Sequence, residues 1–411
     1  MFSRSSILRR ILITISALIL THLLVACGGG SSGAQPTLTP TFGSPSGTDE
    51  GFTVQISNFD ATYTYSGTAT ALGTVSVSGR GLVEVTGVAP NTSSTATITT
   101  RKAGAIDGSA TVTATSLRPN RAYVVDNLNN TVSVINGATD TVMSTITVGA
   151  NPRRLAISPD GSKVYVSNTG DATVSVITTS TNTVTSTITV RAYPSGVAVT
   201  PNGSNVYVAN SGNDSVSVID AATNTVKTTI SVGWGPDGLA ISPDGGNVYV
   251  ANRFDNTVSV IDTRTNTVTE TIAVGNYPRF STISPDGSHV YITNVNANTV
   301  SVIDTKTKTV TSTIPVGSGP IWLAFSPNGN KAYVINISAT TVSVIDTTTS
   351  TVASTFPVGL NPTSAAFSPS GIKAYVSNGD GTVSVIDTAT STVTSTINGF
   401  TNPTEVAFSP R

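Results

Sequence analysis

Along the last three quarters of the chain, apolar and polar residues alternate in short runs. NVYVAN, SVSVID, TVKTTISVG and GLAIS follow one another between Asn205 and Ser242. Alternation at a period of two predicts strands whose side chains point to opposite faces. The runs recur as sets, and Tyr123, Tyr165, Tyr207, Tyr249, Tyr291, Tyr333 and Tyr375 stand 42 residues apart. A fixed period of that length marks a repeat architecture. Between sets lie turns such as Ser242-Pro243-Asp244-Gly245. There Pro pre-sets one dihedral, Asp can bond its own backbone, and Gly accepts the exit conformation.

Four strand signals in each of seven sets predict an all-β, seven-bladed β-propeller over residues 119–411. The first set opens directly on RAYVVD, and the chain ends on Glu405-Val406-Ala407-Phe408, a strand of the GLAIS type. That phase predicts a first blade made of one C-terminal and three N-terminal strands, which would pair the ends of the chain. Residues 51–118 carry six or seven further alternating runs, including GFTVQISNF and SATVTAT. They suit a small β-sandwich of immunoglobulin-like or fibronectin-like kind, a spacer or adhesion module. Residues 27–50 are rich in Gly, Ser, Pro and Thr and read as a flexible tether.

Residues 1–26 read as a signal peptide. Arg4, Arg9 and Arg10 precede an apolar run over residues 11–25, too short for a comfortable span. Leu24-Val25-Ala26-Cys27 resembles the lipobox of bacterial lipoproteins. That resemblance implies cleavage before Cys27 and lipidation of this residue, giving a membrane partner through acyl chains. Gly28 after the cysteine implies, by the same resemblance, the outer membrane or cell surface.

Composition narrows the chemistry. Only 10% of residues are charged and the formal net charge is −1. No basic stripe exists, so no nucleic-acid partner is expected. Cys27 is the only cysteine, which excludes a disulfide framework and Cys-rich zinc sites. Outside the leader His289 is the only histidine, and it follows an SPDG turn. No metal, cofactor or catalytic residue is therefore expected, and an enzyme is less favoured than a binding or structural protein.

YVSN, YVAN, YVAN and YITN at Tyr165, Tyr207, Tyr249 and Tyr291, with NTVSVIDT and TVTSTIPVG, resemble the YVTN-repeat β-propeller family. The resemblance implies an extracytoplasmic, surface-layer-type protein in the cell envelope, and leaves chemistry open. Asp126 departs from the Asn of later repeats, and Asn136 and Thr178 replace an Asp. The recurring Asn168, Asn210, Asn252, Asn294, Asn336 and Asn378 read as turn caps at strand ends.

One rim departs from the repeat. Arg153, Arg154, Arg191, Tyr193, Trp234, Asp237, Tyr277, Arg279, Phe280, Trp322, Phe400 and Glu405 fall in the segments joining successive sets, and Arg253 and Phe254 in a loop on the same rim. Aromatics with arginines suit a binding surface for a glycan, peptide or protein ligand. The same aromatics could instead plug gaps between blades, and the sequence leaves both readings open. A lactonase-like hydrolase using Asp237 or Glu405 with an arginine is the alternative function.

Overall fold

In the computed structural model the described residues are 37–48, 51–71, 73–88, 93–115 and 120–410. The signal peptide, Cys27 with its lipidation and the start of the tether lie outside them. All regular structure among the described residues is β-strand. The chain divides into two compact units between Pro119 and Asn120.

The first unit has two antiparallel sheets. One runs in the order Ser46–Thr48, Gly51–Gln55, Leu82–Thr86, Thr74–Val77, and the other Thr64–Ala69, Ser93–Arg101, Gly108–Thr115. Phe52, Val54, Ile56, Val83, Val85, Ala96 and Ile98 form the core between them. Residues 37–48 differ from the expected tether. Ser46–Thr48 pairs with Gly51–Gln55, Phe42 bridges Ile56, and the Thr100 hydroxyl donates to the Leu38 carbonyl at 2.5 Å. Phe42 also packs against the core, an anchor that average composition conceals.

The second unit is a series of separate four-stranded antiparallel sheets. One sheet comprises Pro236–Ile241, Asn247–Asn252, Thr257–Asp262 and Thr267–Ala273, in that order from inside to outside. The inner strands of the series are Pro152–Ile157, Pro194–Val199, Pro236–Ile241, Pro278–Ile283, Pro320–Phe325, Pro362–Phe367 and Pro403–Phe408. The last of these pairs with Arg121–Asp126, so one sheet joins residues from both ends of the unit. Each inner strand packs against the next, and Pro403–Phe408 packs against both Pro362–Phe367 and Pro152–Ile157.

Burial explains the repeating sequence. In the second strand of each sheet, of the NVYVAN type, both faces are buried, because each sheet is covered by a neighbour on either side. Outer strands such as Thr183–Thr189 keep one fully buried side chain, Ile188, and otherwise face solvent. The recurring asparagines are not turn caps. Asn168 is fully buried, and its amide donates to the hydroxyls of Thr173 and Ser175 at 2.9 Å on the adjacent strand. The same bonds recur at Asn252, Asn294, Asn336 and Asn378. Gly317, in a preceding connection, lies against one of these amides, and a Cβ there would stand 2.5 Å from Asn336 Nδ2.

Candidate functional site at the inner-strand ends

Every inner strand starts on proline and carries a register shift within its first few residues, as between Pro152 and Arg154 or Pro320 and Trp322. A bulge adds a residue and re-aims the side chains beside it. The second position of successive strands holds Arg153, Ser195, Asp237, Arg279, Ile321, Thr363 and Thr404. The third holds Arg154, Gly196, Gly238, Phe280, Trp322, Ser364 and Glu405. At Gly238 a Cβ would lie 2.7 Å from Phe280 Cα, so the backbones of adjacent strands approach too closely there for a side chain.

Asp237 is the centre of the charge. It is fully buried, and one carboxylate oxygen accepts a very short hydrogen bond from Ser195 Oγ. The other oxygen faces Arg153 Nη2 at 3.0 Å, Arg253 Nη1 at 3.6 Å and Arg279 Nε at 3.7 Å. Burial by itself would raise this carboxyl. Arg153, Arg279, Arg154 and Arg253 outweigh it and hold the group well below the usual carboxylate range.

Arg154 is 5% exposed and reaches side chains of the Pro278–Ile283 and Pro320–Phe325 strands. Its guanidinium lies 4.5 Å from the Trp322 ring centroid and 5.2 Å from that of Phe280. Those two rings stack at 3.8 Å, and Trp322 Nε1 donates to the Ala365 carbonyl at 2.8 Å. Burial pulls Arg154 down to about 10, against the opposing pull of Glu405 and Asp237. The Nε atoms of Arg154, Arg253 and Arg279 are buried without a hydrogen-bond partner. Glu405 is buried beside this group and accepts from Leu155 N at 3.1 Å. Burial pushes its carboxyl up to about 8, with Arg154 and the Leu155 bond pulling the other way.

The expected rim therefore separates into two parts. Trp322, Phe280, Arg154, Asp237 and Glu405 are not on an exposed rim, because the inner strands begin at their prolines and carry these residues inward. Trp234, Phe254 and Tyr277 form the outer part. Trp234 is 58% exposed, its ring lies 4.8 Å from Phe254, and Phe254 meets Tyr277 edge-on at 5.8 Å. Arg253 belongs to both parts: its guanidinium lies 5.0 Å from the Phe254 centroid, and its tip reaches Asp237. Arg191 and Tyr193 are exposed on a neighbouring connection. Phe400 packs partly buried against a core cluster containing Tyr375 and Val383, not in the site.

Rim carboxylates are committed elsewhere. Asp171, Asp214 and Asp255 accept from Ala150, Gly235 and Trp234 backbone N–H groups. Asp126 accepts from Thr401 N at 2.8 Å and Asn402 N at 3.0 Å, which explains why an acid replaces Asn there. Ser195 and the unpartnered guanidinium atoms had no sequence signal of their own. His289 sits far from these residues in the chain's SPDG-turn region, where Ser288 Oγ bonds its Nδ1 at 2.7 Å.

Residues 61–277 match the family model described as Choice-of-anchor I domain, and residues 244–334 match YNCE-like beta-propeller. No curated protein matches the chain. Among solved structures it is similar to Kuenenia stuttgartiensis Hydrazine Synthase, with 24% identity and a TM-score of 0.60 over 65% of this chain and 92% of that one. It is also similar to a functionally unknown protein from Desulfotomaculum acetoxidans DSM 771, with 20% identity and a TM-score of 0.64 over 71% and 99% of the two chains. At these identities the likeness speaks for a β-propeller fold and for nothing of the neighbours' chemistry.

Proposed function

The chain, a cell-surface or secreted β-propeller, belongs to the Choice-of-anchor I domain family, and from that premise we propose that it binds an anionic ligand at the ends of its inner strands. The observation that carries this reading is the convergence of Arg153, Arg253 and Arg279 on the one buried carboxylate of Asp237. Glu405, pushed up to about 8, stays largely protonated at neutral pH and does not offset the surplus. Buried cations are costly unless paired. A cluster with more guanidinium donors than acceptors is suited to a carboxylate, sulfate or phosphate that supplies the missing acceptors.

The lipobox-like Cys27 and the leader before it support attachment to the envelope by acyl chains, with the outer membrane as the destination. The seven 42-residue sets, the inner-strand contacts and the sheet shared by both ends support a closed propeller of seven blades. A ring so closed leaves one end of its inner strands open to ligand while its sheet edges stay short.

Calorimetric titration of the full chain with galacturonate, sulfate and uncharged galactose tests the reading. Galacturonate or sulfate should bind, galactose should not, and Arg279→Gln should weaken anion binding about ten-fold or more. Equal heats for all three compounds would defeat it. A hydrolytic reading rests on Glu405 alone, since a buried carboxyl with a raised pKa is suited to acid–base work. Asp237 is held too firmly ionised to act as a good base. Turnover of a lactone panel, abolished in Glu405→Gln, would establish that alternative.

A further inference from the structure

We propose that the anion arrives on a saccharide, and that the site takes an acidic glycan whose carboxylate enters the arginine cluster while its sugar rings lie on Trp234, Phe254 and Tyr277. The proposal rests on the anion-binding reading and adds the class of molecule. Its first support is continuity. Arg253 lies against the Phe254 and Tyr277 rings and its tip reaches Asp237, so the exposed Trp234 and Phe254, the half-buried Tyr277 and the buried charge are continuous. Exposed ring faces stack on the C–H faces of sugars, and guanidinium groups bind uronate carboxylates in a fork.

The backbone supplies a second support. Tyr277 has a φ of 58° and Tyr193 one of 53°, in the left-handed region. The equivalent positions in other repeats hold Asn151, Gly235, Gly319 and Asn361, residues that accept this conformation readily. A bulky aromatic held there is under strain, and strain of this kind gathers at ligand-binding positions.

The third support separates a glycan from a peptide that would add a strand. Such a peptide gains affinity by pairing with free backbone groups. Here the rim backbone is already engaged: Arg253 N donates to the Gly235 carbonyl, Phe254 N to the Trp234 carbonyl and Tyr277 N to Asn256 Oδ1. What remains for recognition is ring faces and guanidinium groups. Beside Trp234 a groove lined by Ser231, Gly233, Thr257 and Thr271 adds hydroxyl groups suited to sugar hydroxyls.

The test uses the full chain and four probes: galacturonate, a galacturonate tetramer, neutral maltotetraose and tetraglutamate. The chain has two tryptophans, and of these Trp234 is exposed while Trp322 is buried, so quenching of intrinsic fluorescence reports the aromatic surface. The acidic tetramer should quench and bind about ten-fold tighter than its monomer. Tyr277→Asn, which adopts the residue other repeats use, should fold normally and weaken tetramer binding about five-fold. Trp234→Phe should bind the tetramer without the quench. A tetramer no better than the monomer, or tetraglutamate as good as the acidic tetramer, would overturn the glycan proposal and leave the anion reading standing. Equal binding of maltotetraose would overturn its acidic part. Failure of galacturonate itself to bind would defeat both.

Discussion

Glu405 carries a pH dependence whose sign follows from its burial. Its unfolded carboxyl titrates near 4.5 and its folded one near 8. Between those values the unfolded state is ionised while the folded state holds its proton, so this group removes stability as pH rises through the window. Glu405→Gln should flatten that loss by at least about 1 kcal/mol between pH 5 and 8, measured by urea unfolding. A wild type and variant with parallel pH profiles would mean that Glu405 is ionised in the fold. Asp237 works in the opposite sense, because its lowered pKa contributes stability that is lost as pH falls below the ordinary carboxylate range. The strained Tyr277 gives a second prediction. Tyr277→Asn should raise stability by about 1 kcal/mol by relieving the left-handed backbone, and a fall in melting temperature would contradict the strain. At this scale the sequence showed which residue types depart from the repeat, but not which are buried. Trp234 and Trp322 occupy similar places in the text of the repeats, yet one is exposed and the other 6% exposed. The bulge that draws Trp322 inward follows Pro320 and breaks the alternation from which its facing was read.

Elements were far more legible. Alternating Val and Ser or Thr located the strands, and Asp220 closes its strand by accepting from Ala222 N and Thr223 N. The inner strands were read too short, starting at GLAIS, whereas pairing begins two residues earlier at Pro236. What periodicity missed is how sheets join. The buried Asn336 amide, the Ser343 hydroxyl and Gly317 interlock: Gly317 N donates to Ser343 Oγ at 3.3 Å, and Asn336 Nδ2 donates to the same oxygen at 2.9 Å. Gly317→Ala would press a methyl group into that amide and should cost about 1–3 kcal/mol. Thermal unfolding checks it, and an unchanged midpoint would show that neighbouring sheets slide apart cheaply.

At the scale of the molecule, the series of four-stranded sheets and the pairing of the final strand with Arg121–Asp126 were written in the repeats and their phase. The seam itself was not. Asp140 accepts from Lys373 Nζ at 2.7 Å and from the Tyr375 hydroxyl, tying the last sheet to the one that contains Arg121–Asp126. Only contacts far apart in sequence reveal such a tie. Deleting residues 404–411 should remove most of the strand that pairs with Arg121–Asp126 and lower the melting temperature sharply, and retention of the wild-type value would contradict the proposed closure by that strand. Glu405 and Leu155, from opposite ends of the second unit, meet beside the arginine cluster. The most direct measurement is anomalous diffraction from crystals of the protein grown with selenate. The account predicts a selenate within hydrogen-bonding distance of the Arg154 and Arg279 guanidinium groups. Selenate bound only to outer surface residues, with that cluster left empty, would contradict it.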